Sequence, residues 1–407
     1  MKAISFKGEM DMKGTNLKER AINLHREHAG KISVVSKIDI QTEDDLSLAY
    51  TPGVGDVCKE IAKDPYKVNS LTSRGNMVAV VTDGTAVLGL GDIGPKAAMP
   101  VMEGKSILFK QFADIDAFPI CLDTTDVDEI VSIVKALQPT FAGINLEDIA
   151  APRCFEIEER LKKALDIPVF HDDQHGTAIV VLGALVNALK LVKKPMEKTK
   201  IVINGAGAAG ISIAKLLLTA GFADISLVSL EGIVCEGLEW MNDSQAEIAK
   251  RTNLHQINGT LHDAISGADV FIGVSGPAAL KQSHIAKMAK DPIVFALANP
   301  IPEIYPEEAL AAGAAVVGTG RSDYPNQINN LLAFPGIFRG SLDSGATDIT
   351  EEMKIAAAYA IAKMVGEKEL SADYIIPSAL DKQVALEVSK AVANIAKKKT
   401  IQSSSVS

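Results

Sequence analysis

Lys200-Ile201-Val202-Ile203-Asn204-Gly205-Ala206-Gly207-Ala208-Ala209-Gly210 is the stretch whose reading decides the fold. Its first five residues, rich in β-branched side chains, read as a buried strand. Three glycines follow in GxGxxG spacing, and an apolar helix is predicted over 211–219. A second strand, Asp224–Val228, completes a strand–turn–helix–strand unit. That order is the signature of a dinucleotide turn: glycine lets backbone approach a pyrophosphate, and the helix N-terminus meets its charge. Gly205, Ala206, Gly207, Ala208, Ala209 and Gly210 are therefore the candidate cofactor-binding residues. The acid expected at the end of the second strand is replaced by Ser229, with Glu231 two positions on. No Arg or Lys stands nearby to pair a 2′-phosphate. The pattern leans toward NAD and leaves NADP open.

Reading outward, strands are predicted at 269–274, 292–297 and 314–319, with polar ends at Ser275, Asn299 and Gly320. Upstream, 77–82, 85–88, 119–123, 141–146 and 168–170 read as short strands, with helices at 127–137, 152–164 and 177–190. Charged residues around 16–30 read as a helix. This alternation predicts an α/β chain of two domains, the second a Rossmann-type, doubly wound dinucleotide-binding domain. The expected division is 1–170 and 171–407, with C-terminal helices at about 345–398 packing back on the first domain. A second GxGxxG spans Gly89–Gly94, but Pro95 and Pro100 follow it. Without a clean helix behind it, that motif predicts a compact turn near substrate rather than a second cofactor site.

The chain has 407 residues, 47% of them hydrophobic, enough for two cores. Charged or Gly/Pro residues interrupt every apolar run of membrane-spanning length, and Met1–Glu9 has no apolar signal core. A cytoplasmic protein with no membrane association is expected. Cys58, Cys121, Cys154 and Cys235 form no CxxC pair and read as free thiols. A net charge of −10 with 5% aromatics argues against a nucleic-acid surface.

Two carboxylate pairs stand at strand ends: Glu147-Asp148 and Asp172-Asp173. Parallel strand ends converge, and clustered carboxylates repel one another unless a cation lies between them. Hard oxygen ligands suit Mg²⁺ or Mn²⁺. The competing reading makes each pair a helix N-cap. His171 and His175 have i, i+4 spacing but lack the Glu of HExxH, which disfavours zinc.

Taken together, several stretches resemble one family. They are Ala49-Tyr50-Thr51-Pro52-Gly53-Val54-Gly55, the run Thr82 to Gly94 continuing to Met102-Glu103-Gly104-Lys105, and Leu146-Glu147-Asp148-Ile149. Phe170-His171-Asp172-Asp173-Gln174-His175-Gly176-Thr177-Ala178, Ala298-Asn299-Pro300 and the run Asn326 to Gly336 complete the set. The chain is similar to the malic enzymes, in particular the short bacterial-type form. The resemblance implies oxidative decarboxylation of L-malate to pyruvate and CO₂, with reduction of NAD(P) and a divalent cation. It implies Tyr50 as general acid and Lys105 as general base, and Glu147, Asp148 and Asp173 as metal ligands. Lys105, Asn299 and Asn330 would touch substrate, and Asn299 also the nicotinamide end. A homodimer is implied as well.

Larger members place an Arg just before the glycine turn; here Gly84-Thr85-Ala86-Val87 holds none, and Arg74 is the nearest in sequence. As a base, Lys105 needs a proton affinity below its ordinary value of roughly 10, which burial and a nearby cation would favour. Three rivals remain: a malolactic enzyme releasing lactate with NAD kept bound, a metal-free amino-acid dehydrogenase, and a non-catalytic dinucleotide sensor. The dehydrogenase would not need three carboxylates, and the sensor would need neither Tyr50 nor Lys105.

Overall fold

The computed structural model describes residues 17–404; Met1–Glu9 lies outside them. Two parallel sheets carry the chain. The first has the order β2-β1-β3-β4, with β1 Met77–Thr82, β2 Asp116–Cys121, β3 Gly143–Leu146 and β4 Val169–His171. The second has the order β6-β5-β7-β8-β9, with β5 Lys200–Asn204, β6 Asp224–Val228, β7 Val270–Gly273, β8 Ile293–Ala296 and β9 Val316–Thr319. Every pairing is parallel. Helices cover both faces of such sheets, so their strands read as unbroken apolar runs rather than alternations. Val78, Ala79, Val80 and Val81 of β1 are all fully buried.

The helix Thr177–Val192 runs between the sheets and packs on the helices Ala208–Ala220 and Glu351–Lys363. With the turn before it, Asp172–Val192 is long and apolar enough to cross a membrane, yet 67% of that window is buried inside the fold. Gly176 and Gly183 do not break it. Gly183 instead lets the Glu351–Lys363 helix approach closely.

C-terminal helices pack on the first sheet's layer. Phe334 and Phe338, from the helix Phe334–Ser344, meet Phe109 edge-to-face at ring-centroid distances of 4.8 and 5.2 Å. Phe338 reaches Phe170 at 5.9 Å. Burying rings of this size in such contacts is a large share of what holds the layers together.

Two local expectations fail. Residues 85–88 form no strand; their one ladder contact is an isolated bridge between Val87 and Gly91. Thr85 is instead committed to side-chain bonding, its Oγ1 donating to Asp83 Oδ1 at 2.6 Å. The second failure matters more. Pro95–Ala113 is a 19-residue helix, not an irregular segment. Pro95 occupies its first turn, where a missing N–H is harmless, and Pro100 forfeits one bond near the N-terminus. Good helix formers from Ala97 to Gln111 outweigh that loss.

Candidate active site

Strand register assembles the site. Leu146 of β3 pairs with Val81 of β1 on one side and His171 of β4 on the other. The residues that follow, Glu147-Asp148 and Asp172-Asp173, therefore leave the sheet at one carboxyl edge. One carboxylate oxygen from each of Glu147, Asp148 and Asp173 lies within 4.8 Å of the others. Asp148 takes the left-handed region at φ +54°, a costly backbone state for a non-glycine residue. Its N–H donates to Asp173 Oδ2 at 2.8 Å, locking the two loops together.

The helix Pro95–Ala113 aims Lys105 into this cluster. Its Nζ lies 2.6 Å from Asp172 Oδ2, 2.9 Å from Glu147 Oε1 and 4.3 Å from the centre of the Phe334 ring. Only 7% of Lys105 is exposed. Burial works to strip its proton, but Asp172, Glu147 and Asp173 outweigh it, and the net shift is upward. This reverses the expectation of a depressed lysine: the counter-charges lie closer than the sequence could reveal. Burial pushes Glu147 up to about 7, with Lys105 opposing and Asp173 adding repulsion. Asp172 rises to about 7 and Asp173 to about 6, burial again first.

The cluster is thus short of positive charge. An all-oxygen donor set, buried and mutually repelling, fits a hard divalent cation. The capping alternative fails, because the helices Arg153–Ala164 and Thr177–Val192 begin with no side-chain cap bond. Zinc on the histidine pair fails too. His171 ends β4, while His175 lies in a one-turn π-helix with Nε2 2.6 Å from Glu158 Oε1 and Nδ1 3.0 Å from Lys354 Nζ. Among the described residues, the metal-capable group is Glu147, Asp148 and Asp173.

The glycine turn lies at the switch point of the second sheet, where β5 separates β6 from β7. Gly205 has φ +121°, and a methyl there would stand 2.6 Å from the Val274 carbonyl oxygen. A methyl on Gly210 would stand 1.7 Å from the Gly205 oxygen, so strand and helix meet only through glycine. Around Gly207 nothing lies within 4 Å of that position, leaving the helix N-terminus open to a ligand. A cavity of about 850 Å³ joins the two halves: Lys105, Glu147, Asp148, Asp173 and Asn330 share its wall with Ala208 and Ala209. Asn330 also bonds Asp172.

Of the glycine turn only Ala208 and Ala209 line that wall, and Tyr50, Asn299 and Ser229 lie outside it as well. Tyr50 ends the helix Glu43–Ala49 and is 67% exposed. Asn299 follows β8, with its carbonyl oxygen against Gly89, so the second glycine motif packs on the dinucleotide domain. Ser229 follows β6 and donates its hydroxyl to Glu231. Arg74 faces elsewhere, donating to the carbonyls of Pro139 and Gln138. Sequence reasoning left Asp172 without a task of its own and assigned none to His25 or Lys31, both of which line the cavity. Adjacency to Asp173 was the available signal for Asp172. For Lys31 the link is a contact with Glu103, 72 residues away, which no local pattern carries.

Two family descriptions match: "Malic enzyme, N-terminal domain" over residues 29–162, and "Malic enzyme, NAD binding domain" over 174–399. A bifunctional malic/malolactic enzyme of Bacillus subtilis (strain 168) is 62% identical over 382 residues, 94% of this chain and 93% of that protein. An NAD-dependent malic enzyme of Geobacillus stearothermophilus is 59% identical over 95% of this chain and 80% of its own length. The crystal structure of the NAD-dependent malic enzyme from Thermotoga maritima superposes with a TM-score of 0.89 at 52% identity, covering 92% of this chain and 98% of that one. Lys105, Glu147 and Asp148 fall in the first matched region and Ala208, Ala209 and Asn330 in the second, and the chain belongs to the malic enzyme family.

Proposed function

We propose that this chain oxidatively decarboxylates L-malate to pyruvate and CO₂ while reducing a nicotinamide dinucleotide, NAD in preference to NADP. The observation that carries the reading is the single cavity walled by both the Lys105–carboxylate cluster and the first residues of the dinucleotide helix. Chemistry at the cluster and a hydride acceptor at the turn can then meet one small substrate.

Glu147, Asp148 and Asp173 would hold Mg²⁺ or Mn²⁺. The cation would acidify the C2 hydroxyl and stabilise negative charge after CO₂ is lost. Lys105 takes the hydroxyl proton; it becomes able to do so when the carboxylates that hold its own proton are neutralised. Asp172 and the Phe334 ring keep the ammonium on one line of approach. Asn330, tied to Asp172, orients substrate from the cavity wall. Tyr50 returns a proton to C3, and Asn299 approaches the nicotinamide end.

The preference for NAD rests on the lack of an Arg or Lys beside Ser229 to pair a 2′-phosphate and on the name of the Geobacillus relative. Malolactic turnover is the second reading, favoured by the bifunctional name of the Bacillus relative. One assay separates them: malate with Mn²⁺ and either dinucleotide, following reduced cofactor by absorbance and lactate by chromatography. Reduced cofactor with pyruvate supports oxidative decarboxylation. Lactate without net reduction supports the malolactic reading, and no product from malate sinks both.

We also propose a cytoplasmic homodimer. The helices Leu17–His28, Glu43–Ala49 and Val54–Lys63 bury no side chain, although Leu24, Val34, Val35, Leu46 and Leu48 on this arm are apolar and exposed. An apolar surface of that kind marks an interface. Tyr50 lies on the same arm and off the cavity wall, so a second copy is the occupant that would give it a substrate to protonate. All four cysteines are free thiols, in keeping with a reducing compartment.

A further inference from the structure

Malate carries two carboxylates with opposite fates. The one on C4 leaves as CO₂; the one on C1 keeps its charge from substrate to product. A fixed cation paired with C4 would resist decarboxylation, because it favours the charge staying where it is. A fixed cation paired with C1 binds substrate, intermediate and product alike. The arginine that would serve is absent from the run Gly84 to Val87.

The remaining cations near the site can be sorted by their bonds. Lys105 is committed to Asp172 and Glu147. Arg153 spans Asp83, Thr85 and the Thr125 carbonyl. Arg74 clamps Pro139 and Gln138. His25 lines the cavity, but its Nδ1 bonds the Ala21 carbonyl at 2.8 Å. That bond ties the ring to its own helix. Lys31 is left.

Its placement is built rather than incidental. Gly30 passes Glu103 at φ +108°, where a methyl would stand 2.8 Å from Glu103 Oε1. The Lys31 amide donates to Glu103 Oε2 at 3.2 Å, and Nζ donates to the Pro100 carbonyl at 2.7 Å. Nζ also lies 3.5 Å from where a methyl on Gly104 would be, beside Lys105 on the same helix. One of three ammonium donors is used, which leaves two for a carboxylate. We propose that Lys31 grips the C1 carboxylate of malate in place of the missing arginine. The proposal rests on malate being the substrate.

The test uses the full-length protein and the variants Lys31→Met and Lys31→Arg. Malate and pyruvate are titrated by calorimetry with Mn²⁺ present, and malate turnover is measured alongside. Losing a charge-assisted bond should weaken malate about tenfold to a hundredfold in Lys31→Met. Because the contact is uniform along the reaction, KM rises by that factor while kcat holds within about threefold. Pyruvate, which keeps only C1, weakens by the same factor, and Lys31→Arg recovers most of the affinity.

Unchanged malate affinity in a folded Lys31→Met overturns the proposal. Weakened malate with unchanged pyruvate overturns the C1 assignment. Parallel loss of Mn²⁺ and dinucleotide affinity in both variants overturns it too, since Lys31 would then only hold the fold. If the wild-type protein binds malate but does not oxidise it, the proposed function fails instead, and the same titrations still judge Lys31.

Discussion

Lys105 Nζ and Asp172 Oδ2 lie 2.6 Å apart in a site where Asp172 is fully buried and Lys105 nearly so. A pair this dry depends on each partner for the other's charge. Removing the ammonium leaves Asp172 and Glu147 facing each other. Lys105→Ala should therefore abolish malate oxidation and also cost about 3 kcal/mol of stability in metal-free protein. Mn²⁺ should restore part of that stability, because it supplies the missing positive charge. Thermal melts with and without Mn²⁺ check the second point. An active Lys105→Ala variant would refute the base role.

The three-carboxylate group predicts a separable set of metal variants. Glu147→Gln, Asp148→Asn and Asp173→Asn each remove one candidate ligand while keeping shape. Each should lower Mn²⁺ affinity at least tenfold, roughly the scale on which metal sites respond to lost partners. Free Mn²⁺ measured by electron paramagnetic resonance gives that affinity without turnover. Asp173→Asn should fall furthest, because Asp173 also receives the Asp148 N–H that joins the two loops. Full activity of wild-type protein in excess chelator would remove the metal from the scheme.

How far local pattern reaches can be judged at particular residues. The strands 77–82, 200–204 and 224–228 run over the residues their apolar patterns predict, because strands buried on both faces need little more than continuous β-branched and aliphatic residues. The carboxylates at 147, 148 and 173 were legible for the same reason: strand ends in a parallel sheet share an edge. The helix carrying Lys105 was hidden by Pro95 and Pro100, whose costs fall in its first two turns. The sign of the Lys105 shift was hidden because it depends on Asp172 at 2.6 Å, a distance between elements far apart in sequence. Lys31 and His25 were hidden more deeply, since their arm reaches the cavity through contacts with residues 100–104.

Behind the site, Glu158 is buried between His175, at 2.6 Å, and the neighbourhood of Lys354. Burial opposes its charge, but His175 and Lys354 win and hold the carboxyl down to about 2. A carboxyl depressed in the folded state stabilises the fold above its ordinary value near 4.5, and that contribution disappears as pH falls through about 2. Glu158→Gln should therefore lose about 3 kcal/mol at neutral pH. The gap from wild type should narrow below pH 4.5 and close near pH 2. Urea unfolding across that range measures it, and a gap that widens toward acid would contradict the assignment.

Tyr50 sets the last prediction. Its ring is 67% exposed, on an arm whose helices bury nothing, while Lys105 lines a cavity that Tyr50 does not. If the acid of one chain serves the base of another, two dead variants can repair each other. Tyr50→Phe and Lys105→Ala homodimers should each be inactive in malate turnover. Unfolded together and refolded as a mixture, half-and-half, they pair at random, and about a quarter of wild-type activity should return, since each mixed dimer holds one intact site. The recovered activity should fall when the double variant, Tyr50→Phe with Lys105→Ala, replaces either partner. A mixture that stays inactive while forming mixed dimers places Tyr50 and Lys105 in the same chain's chemistry, and the exposed arm then needs another explanation.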